Sequence, residues 1–205
     1  MRRYIYFVFL LCCAVNLLLT SCVRQKYVVM DMVHHNPGEA MTESKFLDPS
    51  FLKKNEYGAK VFFLFEAAQF GIDWKSFDPS LFPATTEAGR WVAEKAEIIH
   101  KKYDAAKKED LQVYCMLDML VLPSLLVEKH RTELTNEQGK LDISKPYTQL
   151  CIRELMKEMF ETFPQLDGLV IRTGETYLHD APYYVGNHPV QNGMYDHITL
   201  INLLR

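Results

Sequence analysis

Apolar runs alternate with amphipathic stretches along this chain. The first strand-like run is Tyr27–Val33, ending at His34-His35-Asn36-Pro37-Gly38. The second is Lys60–Glu66, whose centre Val61-Phe62-Phe63-Leu64-Phe65 is apolar at every position. A run without polar alternation belongs to a strand covered on both faces, the usual setting of a parallel sheet. Leu111–Leu117 and Gly168–Thr173 supply the third and fourth strands. A long helix is predicted over Thr86–Lys108. Ala88, Val92, Ala96, Ile99, Tyr103 and Ala106 recur at three- and four-residue spacing, while Arg90, Glu94, Lys95, Glu97, Lys101 and Lys102 mostly hold the other face. A second helix is predicted over Lys145–Phe163, with Ser144 as its cap, Pro146 in the first turn and Pro164 as its stop. Shorter helices are expected at Ser50–Asn55 and Ser124–Thr132. A last one opens near Asp196, with Ile198, Ile201 and Leu204 on one stripe.

Strand, helix, strand, helix at this spacing implies parallel strands joined by right-handed crossovers. Neither a G-x-G-x-x-G fingerprint nor a Walker A sequence is present, which disfavours a doubly wound nucleotide fold. The expected class is α/β, a partial (β/α)₈ TIM barrel formed by residues 27–205 and holding about the first four β/α units. Such a barrel takes about 250 residues. Only Leu178–Arg205 follow the fourth strand and its loop, so the chain reads as truncated, cut inside its last helix.

The chain has 205 residues, 48% hydrophobic and 24% charged, in keeping with one globular domain. Its formal net charge is −3, and losing Arg2 and Arg3 with a leader makes it more acidic, which argues against nucleic acid as a partner. The leader is Met1-Arg2-Arg3 followed by the apolar run Tyr4–Leu19, broken only by Asn16. That run is roughly 16 residues long, where a bilayer span needs about 20, so residues 1–21 read as a signal peptide. Leu19-Thr20-Ser21-Cys22 resembles the lipobox of bacterial lipoproteins. The resemblance implies an acylated Cys22, a short tether over residues 22–26, and anchoring to a membrane of the bacterial cell envelope at about 0.8 kcal/mol per buried CH₂. The plainer alternative is an ordinary signal peptide or an uncleaved anchor, with Cys22 a bystander. Of five cysteines, Cys12 and Cys13 lie in the leader and Cys22 is the lipid site. Cys115 and Cys151 fall on apolar positions and are expected as buried free thiols, with a disulfide as the alternative in an oxidising compartment. No Cys/His spacing matches a zinc site, and neither a metal nor another cofactor is expected.

In a barrel the active face lies at the carboxyl ends of the strands. Collected there are His34, His35 and Asn36 from the first strand, Glu66 and then Gln69 from the second, Asp118 from the third, and Arg172, Glu175, Tyr177, His179 and Asp180 from the fourth. Each alone fits a helix cap, a loop ion pair or a structural histidine. Four successive strand ends supplying ionisable groups to one face make a site. Adjacent histidines on a strand point to opposite faces, which weakens any metal assignment. Trp74, Trp91, Tyr177, Tyr183 and Tyr184 are aromatic candidates for stacking on sugar rings. Trp91 is expected to pack, and the loop tyrosines either bind ligand or pin their loop to the rim.

The segment F-P-Q-L-D-G-L-V-I-R-T-G-E-T-Y at Phe163–Tyr177, with V-H-H-N-P-G-E at Val33–Glu39, resembles the amino-terminal half of secreted bacterial glycoside-hydrolase-like (β/α)₈ proteins. The resemblance implies a polysaccharide or oligosaccharide substrate, with Glu175 as general acid/base. It also implies that the other strand-end residues bind sugar or hold Glu175 and Arg172 in place. Thr173-Gly174 precede Glu175 where the better-known families have Asn, so the subfamily stays open. Hydrolysis takes two carboxylates, about 5–5.5 Å apart for retention or 6.5–9.5 Å for inversion. The family places the second late in the barrel, beyond this chain, which implies an incomplete and inactive fragment. Glu66 and Asp118 are the in-chain candidates for an atypical partner. Arg172 would stabilise an ionised carboxylate or recognise an acidic sugar such as a uronic acid. The alternatives are a non-catalytic glycan-binding or structural envelope lipoprotein and a relic without activity.

Overall fold

The computed structural model describes residues 29–31, 45–63, 66–178 and 180–205. The expected leader, Cys22, the tether, His34, His35, Asn36 and His179 lie outside the described residues.

Four parallel strands form one sheet in the order of the chain: β1 (Met30–Asp31), β2 (Ala59–Phe62), β3 (Gln112–Asp118) and, at its edge, β5 (Gly168–Arg172). Between β3 and β5 in sequence lies β4 (Val121–Pro123), which pairs antiparallel with β6 (Tyr184–Gly186) in a separate ribbon. The helices are α1 (Pro49–Lys54), α2 (Glu87–Lys108), α3 (Ser124–Lys129), α4 (Arg131–Leu134), α5 (Pro146–Thr162) and α6 (Met194–Leu203). A sheet whose strands run in sequence order with crossovers of one hand is wound in one direction, as barrels are. A doubly wound sheet reverses order at a switch point, and the described strands show none. The described strands form an open parallel sheet and do not close into a barrel.

The hydrophobic pattern explains the packing of the long helices. On α2, Val92, Ile99, Tyr103 and Ala106 of the expected stripe are buried together with Gly89, while Ala88 and Ala96 of that stripe are half-buried. Thr86 caps this helix by accepting the Gly89 N–H at 3.0 Å, and its own hydroxyl donates to the Pro83 carbonyl at 2.7 Å. On α5 the buried stripe is Thr148, Cys151, Ile152, Leu155, Glu158 and Met159. A buried 3₁₀ turn, Ala68–Gly71, wedges beside α2. A Cβ on Gly71 would lie 2.7 Å from the Phe163 ring and 3.0 Å from the Ala96 backbone, so only glycine permits that approach. Cys115 and Cys151 are buried free thiols, as expected, and burial pushes them up to about 11 and about 12 respectively.

Several expectations are corrected. The second strand ends at Phe62, short of Glu66. Ser144 does not cap α5. Asp142 Oδ1 takes both the Ser144 N–H and its hydroxyl, leaving Lys145 at the cap position without a side-chain bond, where Pro146 has no N–H to satisfy. The last helix starts at Met194, and its Ile198 and Ile201 are about half exposed while Asp196 and Leu200 are buried. The cause is local: the Asp196 carboxylate accepts the N–H groups of Gln191 and Asn192, each at 2.6 Å, which turns the 196/200 face inward. Trp74 is fully buried against Phe77, and therefore unable to stack on a ligand.

Adjacent isoleucines on α2 provide a check on this packing. Ile99 is fully buried and Ile98 is 47% exposed. Ile99→Ala should cost about 2–5 kcal/mol in urea denaturation, and Ile98→Ala well under that.

Candidate active site

The strongest cluster sits where β3 and β5 end. Asp118 closes β3, Arg172 closes β5, and the two are register partners across the parallel pair. Register partners of neighbouring strands point to the same side of a sheet, so both side chains emerge together. Arg172 Nη1 lies 3.5 Å from Asp118 Oδ1, and Arg172 Nη2 lies 3.6 Å from Glu175 Oε2. The loop after β5 then folds back over this pair. The Tyr177 N–H donates to Asp118 Oδ2 at 2.8 Å, and the Tyr177 hydroxyl donates to Glu175 Oε2 at 2.6 Å. The Arg172 guanidinium stacks over the Tyr177 ring, 4.8 Å from its centroid.

Exposure grades sharply across the cluster. The side chains of Asp118, Arg172 and Glu175 are 3%, 20% and 73% exposed. Burial is the main force on Asp118 and raises its carboxyl from the ordinary Asp value. The Tyr177 N–H and the Arg172 charge oppose that rise, and the Glu175 charge adds to it. The Tyr177 phenol is also raised, chiefly because its proton is held on the Glu175 carboxylate. Three buried polar atoms here have no hydrogen-bond partner among the described residues: Asp118 Oδ1, Arg172 Nη1 and Thr176 Oγ1. The 3.5 Å approach of the first two is an ion pair without hydrogen-bond geometry. Nothing in the run T-G-E-T-Y marked Thr176 as a site residue, since a hydroxyl beside a candidate carboxylate is common in loops.

The remaining expected residues are placed elsewhere. Glu66 is directed to α2, where its carboxylate is held by Lys102 and its carbonyl accepts the Tyr103 hydroxyl at 2.9 Å. It is therefore corrected from a strand-end ligand to a helix-facing ion pair, because β2 stops four residues earlier. Gln69 is buried in the 3₁₀ turn, and its carbonyl accepts the Tyr184 hydroxyl at 3.3 Å. Tyr184 itself is buried among Phe70, Phe82 and Trp91, and Tyr183 packs on Trp91 with ring centroids 5.7 Å apart. Tyr184 is thereby core and unable to stack on a ligand, while Tyr183 is half-buried against Trp91. Asp180 is exposed in the turn ahead of β6. Among the described residues no three His, Cys, Asp or Glu side chains gather as a metal site, and no helix is long and apolar enough to cross a membrane.

No protein-family model matches this chain, and no curated protein matches it. Among solved structures, it is similar to a noncanonic maltogenic alpha-amylase from Thermotoga neapolitana, at 17% identity and a TM-score of 0.41. The match covers 73% of this chain and 39% of that one, so the chain spans well under half the length of that enzyme.

The raised carboxyl of Asp118 sets a pH dependence of stability. Its folded-state value exceeds its unfolded one, so its contribution is most favourable below the unfolded value and is lost as pH rises through the folded value. Asp118→Asn keeps an oxygen for the Tyr177 N–H and removes the titration. In chemical denaturation the wild type should gain stability relative to this variant as pH falls towards the ordinary Asp value of about 4.

Proposed function

We propose that this chain is a glycoside-hydrolase-like protein of the bacterial cell envelope that acts on polysaccharide or oligosaccharide, held to a membrane through a lipid on Cys22. In this reading residues 1–21 are the signal peptide, 22–26 the tether and 27–205 the glycan-acting domain. The observation that carries it is Glu175, solvent-facing at the carboxyl end of a parallel sheet and oriented by the Tyr177 hydroxyl and the Arg172 guanidinium. A carboxylate so held is available to a ligand lying over the strand ends. It is our candidate acid/base, with Arg172, Asp118 and Tyr177 as the groups that bind sugar or set its position.

A second reading, glycan binding without cleavage, is favoured by one specific observation. Glycosidic hydrolysis needs two carboxylates that reach the substrate. The other carboxylate of this cluster, Asp118, is 3% exposed and already engaged by the Tyr177 N–H and Arg172. Turnover in our proposal therefore draws its second carboxylate from outside the cluster.

Both readings are separable by Glu175→Gln in the full chain. Hydrolysis predicts a loss of reducing-end release of about 10²–10⁴-fold with glycan binding retained. Binding alone predicts no turnover in either protein and an altered affinity by calorimetry. A full chain that neither binds nor cleaves any glycan would defeat both. The anchor is tested separately: Cys22→Ser should abolish incorporation of labelled palmitate and shift the protein from the membrane to the soluble fraction. Unchanged labelling and fractionation would remove Cys22 from that role.

A further inference from the structure

We infer that Asn192-Gly193 is a site of covalent self-modification in the folded chain. The Gly193 backbone nitrogen closes on the Asn192 side chain, and the aspartate or isoaspartate that results releases the anchor at the start of α6. This inference is independent of the glycan reading.

Asn-Gly occurs once in the chain, and the fold presents it at the entry to α6 with both residues exposed. Asp196, the third residue of α6, is 3% exposed, and its Oδ2 accepts the N–H groups of Gln191 and Asn192, each at 2.6 Å. In a capping box a carboxylate at this position reaches back to the N–H of the residue just before the helix. Here it reaches past that residue, Gly193, whose N–H makes no hydrogen bond among the described residues. The attacking nitrogen is therefore not tied to an acceptor. It also lies at a helix N-terminus, where aligned peptide dipoles favour the negative charge it takes on as its proton leaves. Gly193 has a φ of 64°, and a Cβ built on it would meet nothing within 4 Å, so ring closure and water entry are unobstructed. The target is loosely held, since Asn192 Nδ2 reaches Asp196 Oδ1 only at 3.4 Å.

The other loop asparagines are placed differently. Asn136 Oδ1 accepts two backbone N–H groups while its Nδ2 donates to Gln191, and Asn187 is bonded through both its side-chain oxygen and its nitrogen. Asn55 Nδ2 is held on the Phe51 carbonyl at 2.7 Å. Each is followed by a residue with a Cβ that crowds the ring.

In the reaction Gly193 N bonds to Asn192 Cγ, the Cγ–Nδ2 bond breaks, and ammonia leaves with the Gly193 amide proton. Water then opens the succinimide, adding its hydroxyl to one carbonyl carbon and a proton to the ring nitrogen. Attack at Cγ gives aspartate, and attack at the backbone carbonyl gives isoaspartate. Either product sets a second carboxylate beside buried Asp196 in place of an amide donor, and isoaspartate also adds a carbon to the backbone path. Gln191, which shares the Asp196 anchor, accepts from Asn136 Nδ2 at 2.9 Å and donates to the Leu141 carbonyl at 2.6 Å. Conversion thus loosens α6 from the turn at residues 136–141.

The test holds the full-length chain at neutral pH and physiological temperature and follows its peptides by mass spectrometry, with a urea-unfolded sample as reference. The Asn192 peptide of the folded chain should gain one dalton, split into two isomers and accept isoaspartyl methylation, at a rate within about tenfold of the unfolded chain. Peptides carrying Asn55, Asn136 and Asn187 should stay unchanged in the folded chain. Asn192→Gln, which would need a larger ring, should abolish the gain. Asn192→Asp, which supplies one product directly, should speed amide exchange at residues 191 and 192 by about tenfold or more. An Asn192 that stays intact in the folded chain, or other asparagines converting as fast, would overturn the site. Unchanged exchange in Asn192→Asp would overturn the release of α6.

Discussion

The buried carboxylate of Asp118 is the point from which the loop after β5 is hung. One oxygen receives the Tyr177 N–H, the other faces Arg172, and through those two residues the position of Glu175 follows. Placing a carboxylate at the end of a central strand is costly, and burial duly pushes its proton affinity up. What offsets the cost is local and directional: a backbone donor that reaches it only when residues 173–177 fold back, and a guanidinium delivered by the register of β3 against β5. A loop held by its own backbone on a strand end is better defined than one held by surface side chains. That definition is what a ligand site requires.

The central strand makes this possible. β3 is paired on both sides, by β2 and β5, and most of its residues are fully buried, so its last residue inherits a fixed position. β5 is different. Among the described strands it is paired on one side only, and all five of its residues are half-buried. The site thus joins a rigid wall at Asp118 to a looser one at Arg172. The aromatic group Phe70, Phe82, Trp91 and Tyr184 secures the far end of the loop against α2 and the 3₁₀ turn.

Much of this layout was legible before any coordinates. The helix around Ile99 and Tyr103 declared itself because six turns of three- and four-residue periodicity average out local accidents. The β3 and β5 strands were legible because unbroken apolar runs ending in one charged residue have few other uses. Asp118, Arg172, Glu175 and Tyr177 were picked out on that ground, and they do come together. Their mutual register was not legible, because the offset between parallel strands is set by the crossover packing and leaves no mark on either strand. Glu66 was misplaced for the opposite reason: an apolar run fixes that a strand exists, but a helix carrying Lys102 decides where it ends. Trp74 and Tyr184 were ligand candidates because aromatic faces can stack on sugar rings, whereas in space they are core. The short β4–β6 ribbon escaped notice because three residues on each side carry no periodicity to read.

The two buried thiols carry a consequence of a different kind. Cys115 lies within β3 and Cys151 within α5, and with proton affinities up at about 11 and about 12 neither is a nucleophile while the fold is closed. One sits in the central strand of the sheet and the other on the buried face of a helix. Alkylation of either can proceed only through an opening that exposes it, so the chain contains two native clocks, one timing the sheet and the other timing the α5 helix.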